Sequence, residues 1–67
     1  MNSIWNLVSS MVEGKSVEIV SKAPCFEILH GQVLSIEKES GGRNPLHLNL
    51  VVLLDDGTYR ECYCQAR

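Results

Sequence analysis

Long apolar runs are missing from this chain. The longest is Leu50 to Leu54, far short of the roughly 20 residues a helix needs to cross a bilayer. No membrane partner is therefore expected. Clustered positive charge is missing too. Six Lys and Arg stand against eight Asp and Glu, for a formal charge of −2. The cations are scattered as Lys15, Lys22, Lys38, Arg43, Arg60 and Arg67. Phosphate binding strengthens with the number of cations that neutralise it, so this balance disfavours nucleic acid as a partner. Cysteines do not pair off: Cys25, Cys62 and Cys64 make an odd count. The first residues show no basic start followed by a long apolar stretch, so no export is expected. Three reduced thiols in a cytoplasmic protein follow. There is no phosphate-cradling loop, because Gly41-Gly42 lacks a following Lys-Ser/Thr and a helix. No repeat, linker or low-complexity segment is visible.

What is present fits one small domain over residues 1–67. Apolar residues make up 45% and charged residues 21%, an ordinary globular balance. A core this small supplies roughly 3–5 kcal/mol unless a staple, a metal or a partner subunit adds to it.

Residues 3–13 read as a helix. Ser3 suits the N-cap. Ile4, Leu7, Val8 and Met11 recur at helical spacing, Trp5 and Val12 widen the stripe, and Gly14 suits the position past the end. Eleven residues are marginal alone, so the stripe must dock, with core packing as its role. Trp5 and Phe26 are expected in that core.

Period-two patterns follow. Strands are expected at about 15–21, 25–39, 46–55 and 58–65. In the first, Val17 and Ile19 share a side, and Pro24 ends the ladder. In the second, Phe26, Ile28, Leu34 and Ile36 form the apolar face, and Gly31 marks a bulge or bend. Residues 40–45 form a loop. The third alternates at Leu46, Leu48 and Leu50 and then runs apolar to Leu54, as a central strand buried on both faces does. Asp55-Asp56-Gly57 signals a tight hairpin turn. The fourth places Tyr59, Glu61 and Tyr63 on one side and Arg60, Cys62 and Cys64 on the other. Short connections make this an antiparallel meander. The expected fold is mainly β, with a short N-terminal helix and a bent meander curling into a small SH3-like barrel.

The helix at Trp5–Val12, then Gly14-Lys15-Ser16-Val17-Glu18-Ile19, then Gly31-Gln32-Val33 with Ile36 and Glu37, resembles the Sm-like family. The hairpin Leu53-Leu54-Asp55-Asp56-Gly57 also resembles SH3-like and Tudor-like barrels. The Sm-like resemblance implies subunits joined through strand edges into rings that bind RNA. It places Asn44 where that family contacts a base, although Glu37 stands in place of its Asp. Its last-strand basic motif is replaced by Cys62-Tyr63-Cys64-Gln65. Its fifth strand has no counterpart here. Open strand edges and a doubly apolar strand imply edge-to-edge homo-oligomers.

Site chemistry is sparse. Cys62-x-Cys64 on a strand aims both sulfurs one way, but Cys25, His30 and His47 supply no second tight pair for zinc. No metal or cofactor site is expected. His30 and His47 lack a Ser or Asp at triad spacing, and Cys25–His30 does not make a nucleophile pair. Glu37, Glu39, Asp55 and Asp56 read as solvated loop acids. No catalytic residue is assigned. Tyr59 and Tyr63, with Val51 and Leu53, read as a subunit interface. Tyr59 and Tyr63 could instead stack bases, with Lys15, Arg43 and Asn44 beside them; a basic patch would draw on Lys15, Lys22, Arg43 or Arg60. The expected function is a non-enzymatic, oligomeric binding or assembly module whose partner is its own copy or another protein. The alternative is an Sm-like RNA-binding ring.

Overall fold

A computed structural model describes residues 2–22, 26–38 and 47–67. The helix α1 (Ile4–Glu13) precedes four strands: β1 (Ser16–Val20), β2 (Ile28–Lys38), β3 (His47–Leu54) and β4 (Tyr59–Gln65). They form one open antiparallel sheet in chain order. The second strand starts at Ile28, while Phe26 and Glu27 precede it. Residues 25 and 39, the expected limits of that strand, and the loop at 40–45 lie outside the described residues.

The helix ends are set locally. Ser3 holds the extended N-cap backbone, and its carbonyl accepts the Leu7 N–H at 3.1 Å, although its hydroxyl makes no cap bond. Gly14 takes φ 72° and donates its N–H to Ser10 O at 2.9 Å. Such a left-handed residue closes a helix, and glycine adopts it without strain.

The helix lies on β1 and β2, but not on its expected face. Leu7 and Ser10 are buried, whereas Trp5 is 77% exposed and Val12 74%. Ser10 sets this rotation. Its Oγ accepts the Val33 N–H at 3.0 Å and donates to Lys15 O. A buried N–H left without a partner costs about 1–3 kcal/mol. Burying one more aliphatic side chain gains about 1.5–3 kcal/mol, so the polar contact competes on even terms and part of the apolar stripe faces water.

Strand β2 reverses its expected phase. Leu29, Gly31 and Val33 point inward, while Phe26 is 79% exposed, Ile28 62% and Leu34 37%. Neither Trp5 nor Phe26 is in the core. The register shifts between Val33 and Ser35, which leaves Leu34 as the extra residue of a bulge. One extra residue flips every later side chain to the other face. Ile36 therefore packs against the core opposite Leu50. The irregularity lies at Leu34 and not at Gly31. Gly31 is small for a different reason: a Cβ there would sit 2.4 Å from Leu53 O and 2.8 Å from Leu54 Cα.

In β3, Leu48, Leu50 and Val52 are buried, but Val51, Leu53 and Leu54 are only half-buried. The expected burial on both faces is thus incomplete. The core collects these three with Leu7, Ile19, Leu29, Val33, Cys64 and Ala66. The β3–β4 turn has the expected chemistry. Gly57 takes φ 90°, and Asp56 Oδ1 accepts the Thr58 N–H at 2.9 Å and its hydroxyl at 2.6 Å. These bonds hold the Asp56 carboxyl below its ordinary range.

The edge strands β1 and β4 do not pair as strands, yet they are bridged at one end. The Asn2 amide takes both backbone groups of Val20, accepting its N–H at 3.0 Å and donating to its carbonyl at 2.7 Å. Asn2 O accepts the Arg67 N–H at 2.7 Å, and Ile4 N–H donates to Arg67 O at 3.0 Å. Lys22 N–H donates to Tyr63 O at 2.7 Å.

Candidate functional site

The residues expected at an interface fall on one outward face of the sheet. Cross-strand partners share a face, and three rows result: Gln32–Leu53–Tyr59, Ser35–Val51–Glu61 and Glu37–Asn49–Tyr63. Val51, Leu53, Tyr59 and Tyr63 are therefore neighbours. Tyr59 is 70% exposed. Tyr63 is half-buried and meets His47 edge to face, with centroids 5.7 Å apart.

The same face is poorly built for stacking bases. Tyr59 and Tyr63 are four residues apart on a strand, about 13 Å, and Glu61 lies between them. No single base spans that distance, and the carboxylate repels phosphate. Lys15 is remote as well. Its neighbour Ser16 is three strand spacings from Tyr59 along the row Ser16–Gln32–Leu53–Tyr59, about 14 Å. Lys15 Nζ pairs with Glu13 Oε2 at 2.8 Å, and that bond raises the Lys15 pKa. Arg43 and Asn44 lie outside the described residues.

A groove of about 570 Å³ runs beside this face, bordered by Lys22, Glu27, Glu37, Arg60, Glu61 and Tyr63. Its volume suits a small ligand. Its charges are already matched: Arg60 is ion-paired with Glu27, and Lys22 Nζ donates to Gln65 Oε1 at 2.7 Å. Three carboxylates border it against two engaged cations, a poor cradle for an anion.

The thiols are not poised for chemistry. Cys64 is fully buried and Cys62 half-buried. Burial raises both pKa values, Cys64 to about 11, and the thiolate is the reactive and metal-binding form. His30 is exposed beside Glu18 at 3.9 Å across β1 and β2. Cys25 lies outside the described residues. Among the described residues, no group of three or more His, Cys, Asp or Glu comes together to hold a metal ion. Nor is any described helix long and apolar enough to cross a membrane.

Two apolar surfaces escaped the sequence reading. One is the helix flank at Trp5 and Val12; the other is Val20 with its partner Ile28, which are 40% and 62% exposed, beside Phe26. The helix offered one signal. Its six apolar residues span a wider arc than one docked face can cover.

No protein-family model matches the chain, and neither do the curated proteins or the solved structures compared with it.

Proposed function

We propose that this chain is a non-enzymatic, self-associating binding or assembly module built on a small Sm-like/SH3-like β-barrel. The observation that carries this is the outward face of β3 and β4, where Val51, Leu53, Tyr59 and Tyr63 are neighbours. Beside them runs the outer edge of β4. Among the described residues, no backbone group outside the sheet bonds that edge at Tyr59 or Glu61. An open edge flanked by apolar side chains is a template for another strand. Support for the barrel comes from Asn2 and Lys22, which draw the two sheet edges together at one end. The free thiols Cys62 and Cys64 fit a reducing, cytoplasmic setting.

Sedimentation at micromolar concentration tests the assembly, with the expected result a discrete oligomer that Tyr59→Lys weakens. A stable monomer would sink it. The same samples, mixed with oligo-U or oligo-A at low salt, address the RNA-binding alternative. Salt-sensitive retardation of the oligonucleotide would replace the module with an RNA-binding ring.

A further inference from the structure

The outer side of α1 is apolar where solvent-facing helix residues are ordinarily polar. Trp5, Val8 and Val12 follow the i, i+3, i+7 spacing and share one stripe. Leu7 and Ser10, on the opposite side, dock on the sheet. Trp5 and Val12 are the most exposed apolar residues of the helix, at 77% and 74%, and Val8 between them is half-buried.

We infer that this stripe binds the same stripe of a second copy, helix against antiparallel helix across a two-fold axis. The inference rests on the chain being self-associating, and it assigns one contact to a surface away from the sheet. Three observations select a second copy. The first is shape. Residues 5 and 12 lie about 10 Å apart along the helix, so an axis passing midway, beside Val8, sets each Trp5 over the partner copy's Val12. A large side chain then meets a small one twice, as a self-complementary two-fold contact requires.

The second is charge. The first turn of the helix carries no acidic residue, and the last turn ends on Glu13 with no basic residue in the helix. Glu13 is thus at the end its own helix dipole disfavours. The antiparallel arrangement brings each Glu13 toward the positive N-terminal end of the other helix. The third is area. Trp5 exposes on the order of 150–200 Å², and the stripe roughly 300 Å² with its valines, so two copies bury on the order of 600 Å² through it. That lies below the roughly 1,200 Å² of a stable specific interface, which makes the contact weak alone and effective as one of two contacts in an assembly. A lipid surface is a poorer occupant. The helix has no Lys or Arg to meet headgroup phosphate.

Trp5 is the only tryptophan, so its emission reports this surface and no other. On raising the concentration from micromolar to millimolar, the emission should shift to shorter wavelength and quenching by acrylamide should fall severalfold. Val12→Lys, at an exposed position, should abolish both changes while keeping the far-ultraviolet circular dichroism. Tyr59→Lys, on the sheet, should not block them. As an independent check, Val8→Cys should give a concentration-dependent disulfide between copies through residue 8, identified by peptide mass spectrometry. Oligomers in which Trp5 stays exposed would overturn the helix contact and leave the assembly standing; a monomer throughout would overturn both. A blue shift that survives Val12→Lys, or one that appears only with phosphatidylcholine vesicles, would also overturn the inference.

Discussion

Ser10 is a small polar residue at the centre of a helix–sheet contact, and its hydroxyl is fully engaged. It is fully buried, and it serves Val33 on one side and Lys15 on the other. Ser10→Ala removes the acceptor and strands the Val33 N–H, which should cost about 1–3 kcal/mol. Urea denaturation should show a lower midpoint with an unchanged slope. The glycines separate two other costs. Gly31→Ala places a Cβ against the Leu53 carbonyl and should destabilise at or beyond the top of the about 1–3 kcal/mol usual for overpacking. Gly57 has positive φ but open space around it, so Gly57→Asn should cost about 1 kcal/mol or less. The same urea series ranks the two. Cys64 gives a pH signature. Its pKa rises from the ordinary 9.0 to about 11 on folding, so the unfolded chain loses this proton first. Its contribution to stability is complete below about pH 9 and is lost as pH rises toward 11. Cys64→Ala, though less stable throughout, should show a shallower decline over that window when melts are compared across pH.

At the scale of elements, Asn2 acts as a one-residue strand. It satisfies both edge groups of Val20 and receives the Arg67 N–H, so it substitutes for the pairing that β1 and β4 do not make. Asn2→Ala should speed amide exchange at Val20 and Arg67 well above that in the middle of β3. Equal protection in the variant would show that the bridge is not what shields these edges. Elements whose limits are local were legible in the sequence. Gly14 and Asp55-Asp56-Gly57 stop the chain through their own backbone preferences, and they appear where expected. The alternation in β4 likewise put Tyr59 and Tyr63 on one face with Val51 and Leu53. Two things were not legible. In β2 both parities carry apolar residues, Leu29 and Val33 against Ile28, Leu34 and Ile36, and the bulge at Leu34 lets each set face inward over part of the strand. The rotation of α1 depends on a bond between residues 23 positions apart, Ser10 and Val33. No window of local sequence contains it.

For the whole molecule, the decisive quantity is how little apolar surface one copy buries. Nine apolar residues make up the buried core among the described residues, two of them only Cys64 and Ala66, while Trp5, Phe26, Ile28 and Tyr59 are mostly exposed. Large side chains outside and small ones inside invert the usual distribution. If self-association covers part of that exposed surface, folding and assembly are linked by mass action, and stability must depend on concentration. A domain of this size moves its melting temperature by about 4–8 °C per kcal/mol. A tenfold dilution of an obligate dimer removes about 1.4 kcal/mol per pair of chains. Each tenfold dilution should therefore lower the melting temperature by a few degrees, with higher oligomers behaving in the same sense. Tyr59→Lys should flatten the dependence if the sheet face is the main contact, and Val12→Lys should flatten it if the helix is. A melting temperature constant over three decades of concentration would mean that this small core holds a single copy together unaided.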